Sequence, residues 1–316
     1  MHFNSLRRYR LKPFFYLRAY ANHLLPYRIH RFYERQYLRT LSELDRIRLM
    51  KRVNYYLRGN DQFQLPDDAP PFKLFEAGSS SYRCDLSNIL KFFPGKSQIL
   101  YRFGDSTEPV TIPTLVKARQ ISKDSDKSVL MRFDSYRHYV WYSDSLPFND
   151  KIDKVVWRGG LNAKPQRISL IKSWQGHHLC DLEVVSGDLT PKIKQKLYLS
   201  PQQQLNYKFI LSIEGNDVAT NLKWILASNS LCVMPRPTKE SWFMEGLLRP
   251  WEHFVPVLPD FSDLGDIIQT CLREPLLCKQ IIRNANSWCK DFMDLRLETA
   301  IGVEVMKKYF MLSGQL

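Results

Sequence analysis

No apolar run in this 316-residue chain approaches the ~18–20 residues that a bilayer-spanning helix requires. The first 20 residues are basic and aromatic, with neither a continuous apolar segment nor a small-residue cleavage site. They do not read as a signal peptide, and the expectation is a cytoplasmic protein. Cysteine is sparse. The six residues Cys84, Cys180, Cys232, Cys271, Cys278 and Cys289 include no C-x-x-C pair, which argues against a zinc framework. A disulfide scaffold is out of place in a chain of this size without a secretory leader, so buried thiols are expected. Neither G-x-G-x-x-G nor G-x-x-x-x-G-K-[ST] occurs, and dinucleotide dehydrogenases and P-loop enzymes lose support. Low-complexity tracts and internal repeats are also missing.

Acidic residues are scarce at one end. Residues 1–60 carry 14 Lys and Arg but three Asp and Glu, so +11 of the net charge of +14 sits there. Such an end attracts a polyanion: nucleic acid, an anionic membrane, or a phosphorylated glycolipid. Within it Phe32, Tyr33, Tyr37, Leu41, Leu44 and Ile47 recur at helical spacing with Arg between them. Solvated amphipathic helices account for this pattern as well as an anion-facing surface does.

A Pro- and Asp-rich loop spans 61–72. Beyond it the spacing predicts short strands at Lys73–Glu76, Gln98–Phe103 and Val129–Phe133, with a helix at Asp85–Phe93. A linker follows at 142–150. The second half alternates: strands at Lys154–Trp157, Leu182–Val185, Phe209–Ile213, Leu231–Met234 and Phe254–Val257, helices at Pro165–Trp174 and Val218–Ala227, and helix from Ser262 to the end. This alternation implies a parallel sheet covered on both faces, with ligands beyond the carboxyl ends of its strands.

Three segments at strand ends carry residues suited to sugar transfer. Glu214-Gly215-Asn216-Asp217-Val218-Ala219-Thr220-Asn221 lies where a strand gives way to a helix, a setting in which backbone N–H groups and the helix dipole receive phosphate. An ordinary cap by Asn216 or Asp217 accounts for the same residues. Trp157-Arg158-Gly159-Gly160 offers an arginine, the side chain that grips phosphate bidentately, or a plain surface arginine beside a turn. Asp105, in Tyr101-Arg102-Phe103-Gly104-Asp105, is a carboxylate able to take a hydroxyl proton, or a cap for the next segment. Asp124-Ser125-Asp126 has the spacing of a metal-binding pair but an all-polar setting, so no metal site is expected.

The order and spacing of these segments resemble glycosyltransferase family 90, over roughly residues 95–290. The resemblance rests on Arg102-Phe103-Gly104-Asp105, Trp157-Arg158-Gly159, Glu214-Gly215-Asn216 leading into Lys223-Trp224, and Pro250-Trp251-Glu252-His253-Phe254-Val255-Pro256-Val257. The first 60 residues look like the LpsA-type branch, bacterial lipopolysaccharide core transferases. The resemblance implies an α/β, GT-B-like fold with two Rossmann-like domains facing a cleft, inversion at the anomeric carbon and no metal. Asp105 falls on the family's catalytic base and Arg158, beside Gly159, on its diphosphate-binding arginine. Gly215 to Thr220 fall on the diphosphate loop. Many members carry an arginine seven residues after the loop's acidic residue, where this chain has Asn221. Lys223 is the nearest substitute, although a helix turns ~200° over two residues.

The expectation is therefore an inverting, metal-independent hexosyltransferase. It would use UDP-glucose or UDP-galactose as donor and a lipopolysaccharide inner-core glycolipid as acceptor. Residues 1–150 would form the acceptor side, with a basic helical region at 1–60. Residues 151–290 would bind the donor, and 291–316 would return to the first domain. The enzyme would sit peripherally on the cytoplasmic face of the inner membrane. The alternative, a nucleic-acid-binding protein, has the basic aromatic end in its favour but no recognisable nucleic-acid motif.

Overall fold

The computed structural model describes residues 16–17, 25–69, 71–72, 80–95, 97–185 and 197–316; the strand expected at 73–76 lies outside them. Three helices come first: α1 (Tyr27–Thr40), α2 (Glu43–Tyr56) and α3 (Ser80–Leu90). Four short strands follow, β1 (Tyr101–Arg102), β2 (Thr114–Val116), β3 (Ala118–Gln120) and β4 (Ser128–Leu130), and then the single turn α4 (Ser135–His138). The second half contains β5 (Ile152–Gly159), α5 (Pro165–Trp174), β6 (Cys180–Val184), α6 (Pro201–Gln204), β7 (Tyr207–Leu211), α7 (Leu222–Leu226), β8 (Leu231–Met234), β9 (Lys239–Ser241) and β10 (Val255–Pro256). Helices α8 (Leu264–Arg273), α9 (Pro275–Lys290) and α10 (Leu295–Leu312) close the chain.

Two parallel sheets result, β1-β2-β4 and β10-β8-β7-β5-β6, so the protein is mixed α/β. In the covered stretches of the central strands, Val155–Trp157, Phe209–Leu211 and Leu231–Met234, every residue is apolar, because both faces are buried. Val155, Trp157, Phe209, Leu211, Leu231 and Val233 point into a core completed by α8 and the first half of α9. The alternate residues Val156, Ile210, Cys232 and Met234 point the other way. They join Leu115, Val116, Val129 and Leu130 of the smaller sheet and the apolar face of α10 in one continuous core. An antiparallel ribbon also links the halves, pairing Ala118, Arg119 and Gln120 of β3 with Ser241, Glu240 and Lys239 of β9.

Helix α10 packs against α2 and α3. The contact centres on Arg52, which forms a buried ion pair with Glu298 through both terminal nitrogens and donates Nε to the Tyr56 hydroxyl (2.9 Å). Trp242 donates its indole N–H to Glu298 (2.6 Å), and its ring stacks on Tyr56 at 3.9 Å. Every polar atom of this cluster that is named here has a partner, as a buried charge demands.

Several expectations need correction. The helix expected at Val218–Ala227 is only Leu222–Leu226. The Asn221 amide donates to the Leu211 carbonyl (2.9 Å) and accepts from the Ser212 hydroxyl (3.2 Å), which pins the preceding loop to the end of β7. The strands expected at Gln98–Phe103 and Val129–Phe133 shrink to Tyr101–Arg102 and Ser128–Leu130, while β2, β3 and β9 were not foreseen. The apolar positions named in and between α1 and α2 divide: Phe32, Tyr33, Leu44 and Ile47 are exposed, Tyr37 and Leu41 pack against the core, and α1 also buries His30 and Glu34.

Replacing Arg52 with Met strands the buried Glu298 carboxylate. Urea denaturation is expected to show a loss of about 3–5 kcal/mol. The same change at exposed Arg48, one turn away, is expected to cost less than about 0.5 kcal/mol.

Candidate active site

Asp105 follows β1 by three residues. Gly104 before it has φ +100, a conformation that side-chain-bearing residues rarely adopt, and this turn swings the carboxylate out of the strand direction. The Asp105 side chain is 38% exposed and accepts hydrogen bonds from the Lys117 ammonium and, at 3.4 Å, from the Tyr82 hydroxyl on α3. Partial burial raises its proton affinity. The Lys117 hydrogen bond and charge, the nearby Arg137 and the Tyr82 hydroxyl more than offset this, so its pKa lies below the usual carboxylate range.

Lys117 occupies the single residue between β2 and β3 and is 3% exposed. Its ammonium also forms an ion pair with Asp217 at 2.5 Å. Burial disfavours the cation, but the two carboxylates outweigh that and raise its pKa. Asp217 is itself buried, and desolvation raises its pKa against the pull of Lys117. The base expected after β1 and the phosphate loop expected after β7 are thus joined through one ammonium group.

That loop runs from Ser212 to Asn221. Its Glu214 carboxylate accepts from the Thr238 N–H (2.9 Å), the Thr238 hydroxyl (2.5 Å) and the Lys239 N–H (3.1 Å), tying it to the turn between β8 and β9. Gly215 donates to the Asp217 carbonyl (3.0 Å), and the Lys239 ammonium donates to the Gly215 carbonyl (3.3 Å). Asn216 and Thr220 are exposed, while Val218 and Ala219 are buried beneath the loop. A cleft between the loops after β7 and β8 is lined by Gln166, Ser212, Val218, Ala219, Arg236 and Pro237, among others.

Two expected cations are engaged with protein groups and do not line this cleft. Arg158 donates to the Asp181 carbonyl (2.7 Å) and carboxylate (2.6 Å) and to the Leu197 carbonyl (2.7 Å). Lys223 is fully buried in an ion pair with Glu245 (2.9 Å), beneath Tyr139 and Phe243. The arginine at the loop is Arg167, in the first turn of α5. Its terminal nitrogens donate to the Gly160 carbonyl (2.7 Å) and the Ile213 carbonyl (3.0 Å). A Cβ at Gly215 would stand 3.2 Å from its guanidinium, so the glycine makes room for the cation. Burial lowers the Arg167 pKa, and no carboxylate neutralises it among the described residues. Before it, Asn162 and Ala163 hold consecutive left-handed conformations in the loop beyond β5.

Sequence reading missed Lys117, Tyr82 and Arg167. Two of them left a signal: Lys117 interrupts an apolar run next to Arg119, and Arg167 places a cation at a helix N-terminus, where the helix dipole disfavours it. The motif Pro250–Val257 serves the framework. It forms a turn leading into β10, with His253 accepting from the Arg249 N–H (3.0 Å) and packing on Trp288. Asp126 pairs with Arg58 (3.0 Å) on the far side of β3.

Comparison with known proteins bears on this arrangement. Residues 127–312 match the model of glycosyl transferase family 90. The chain is 41% identical over 268 residues to O-glucosyltransferase LpsA of Dichelobacter nodosus, covering 84% of each protein. A match of that length must take in Asp105 and Lys117, which precede the span of the family model. Protein O-glucosyltransferase 2 of Danio rerio is 26% identical over 125 residues, 38% of this chain and 25% of the relative. A protein of Invertebrate iridescent virus 3 without an assigned role is 39% identical over 98 residues, 30% of this chain and 9% of its own length. A carboxylate and a loop flanked by Arg167 and Lys239, joined at the carboxyl ends of parallel strands, agree with these matches, and the chain belongs to glycosyltransferase family 90, as a sugar-transferring enzyme.

Proposed function

We propose that the enzyme moves a hexose, glucose in the first instance, from a UDP-sugar to a hydroxyl of a lipopolysaccharide inner-core acceptor, with inversion and without a metal. The single observation that carries the reading is the Asp105–Lys117–Asp217 bridge, which ties a partly exposed carboxylate to the loop against which Arg167 of α5 packs. Two of the relatives are O-glucosyltransferases, which favours glucose. Residues 1–150 act as the acceptor side and 151–290 as the nucleotide-sugar side of a GT-B pair, with 291–316 packing back on the first.

In this mechanism the acceptor hydroxyl gives its proton to Asp105. Its oxygen attacks the anomeric carbon opposite the diphosphate, and the carbon–oxygen bond to the leaving group breaks. Arg167, with Arg236 and Lys239 at the adjacent loop, stabilises the charge developing on the diphosphate, the role a divalent metal has in other transferases. Arg158, expected in that role from sequence, here holds Asp181 of β6 and the Leu197 carbonyl.

The basic end of the chain fits an anionic leaflet. Helix α1 exposes Ile29, Phe32 and Tyr33 alongside Arg28, Arg35 and Arg39, and α2 exposes Leu44, Ile47 and Met50 beside Arg48 and Lys51. Apolar side chains flanked by arginine suit the headgroup boundary, and no described helix is long and apolar enough to cross a membrane.

Four outcomes are expected. Asp105→Asn should lower kcat by ~10²–10⁴-fold while leaving the thermal midpoint and UDP binding intact; retention of more than half of the turnover would remove Asp105 as the base. Arg167→Ala, losing charge-assisted bonds of about 1.5–3 kcal/mol, should weaken UDP binding roughly 10- to 150-fold in calorimetry. Arg158→Ala should chiefly lower the thermal midpoint. Co-sedimentation should show salt-sensitive binding to anionic vesicles. Arg35→Ser with Arg39→Ser should weaken it about 30-fold, at about 1 kcal/mol per arginine. Equal binding to neutral vesicles, or salt-sensitive binding to RNA alone, would defeat the membrane reading.

A further inference from the structure

We propose that Lys117 is a positioning residue for the transfer, locking the base Asp105 to the donor loop through Asp217. The inference rests on the reading of Asp105 as the base. Burying an ammonium costs several kcal/mol unless charge and hydrogen bonds compensate it. A lock that served only to join the two sheets would be complete with the buried Asp217. Here the same ammonium reaches a second carboxylate, and that one is partly exposed to solvent. The Tyr82 ring lies 5.7 Å from the ammonium and the Tyr82 hydroxyl reaches Asp105, so two side chains from separate parts of the fold converge on one carboxylate.

The backbone fixes where the ammonium can be. Val116 pairs with Arg102 in the parallel sheet, and Ala118 pairs with Ser241 in the antiparallel ribbon. Lys117 is the only residue between, so it has little freedom to slide. It presents Asp105 in one orientation whenever the loop is in place.

The lock has a consequence for pH dependence. The charged or titratable groups bearing on Asp105 are Lys117 after β2, Tyr82 on α3, Arg137 on α4 and Asp217 on the donor loop. Asp134 acts on the neighbouring Tyr82, and Lys223 on Asp217. Of these, Lys117 has the strongest hold on the ionised form of Asp105. A carboxylate whose folded pKa is depressed stays ionised, and competent as a base, down to lower pH. Removing the ammonium shifts the loss of activity to higher pH. Removing Asp217 leaves the ammonium to Asp105 alone and shifts it lower.

The test is the pH profile of kcat/KM for Lys117→Arg, Lys117→Met, Asp217→Asn and the charge-balanced double variant Lys117→Met with Asp217→Asn. The double variant guards against misfolding, because it leaves no unpaired buried charge. Lys117→Met and the double variant should lose roughly 10- to 100-fold in kcat, the scale of a base displaced by about 1 Å. Their acidic limbs should move to higher pH. Asp217→Asn should move its limb to lower pH, and Lys117→Arg should leave it in place. A folded double variant that loses kcat equally at every pH, with its limb unmoved, overturns the inference and makes Lys117 purely structural. If Asp105→Asn itself stays active, the base reading fails instead, so the two failures are distinguishable.

Discussion

The placement of the active site depends on a three-residue antiparallel ribbon. Strand β3 leaves the smaller sheet and pairs with β9 from the larger half, and the register is held by Arg119 opposite Glu240. Both side chains are fully buried. Glu240 accepts from Arg119 (2.7 Å), Arg58 (2.9 Å) and the Tyr55 hydroxyl, while Arg119 also donates to the carbonyls of Ser128 and Tyr55 (2.8 Å each). A one-residue slip would turn both ions to the opposite face. That penalty fixes Lys117, one residue ahead of the ribbon, and through it the separation of Asp105 and Asp217.

The same logic extends to the donor loop. Glu214, in the position of the family's acidic loop residue, spends its oxygens on the backbone and hydroxyl of the turn that feeds β9. Loop, turn and ribbon are therefore one connected piece. The site is built less on a helix N-terminus than on these cross-links, since α7 is only five residues long.

What could be read in the sequence follows from where the information lies. Pro165–Trp174 and Leu231–Met234 match residue for residue, because a proline at the helix start and an apolar run of four are local signals. The strands β2, β3 and β9 were missed because they are three residues long and carry Lys or are flanked by it, or contain Arg and Glu whose burial makes sense only once they face each other. Asp105 was legible through its motif. Arg158 was legible as an arginine at a strand end, but its engagement with Asp181 was not, and Arg167 became prominent only when Gly215 came beside it. Phe32 and Tyr33 of α1 face outward while Tyr37 packs on the core, since periodicity reports amphipathicity without saying which side meets the protein.

The core shared by both sheets carries a mechanical implication. Transferases built from two independently packed halves can admit substrates by rocking about a hinge. Here Val156, Ile210 and Met234 lie in the same apolar cluster as Leu115 and Val129, and α10 reaches back across the first helices. Opening a hinge would expose that interior at about 25 cal/mol per Å² of apolar surface. The economical route for a nucleotide sugar is local displacement of the turn at 160–164, where Asn162 and Ala163 hold left-handed conformations, leaving the cross-linked loop and the framework still. Access would then be gated by one short strained segment and not by rigid-body motion of the halves.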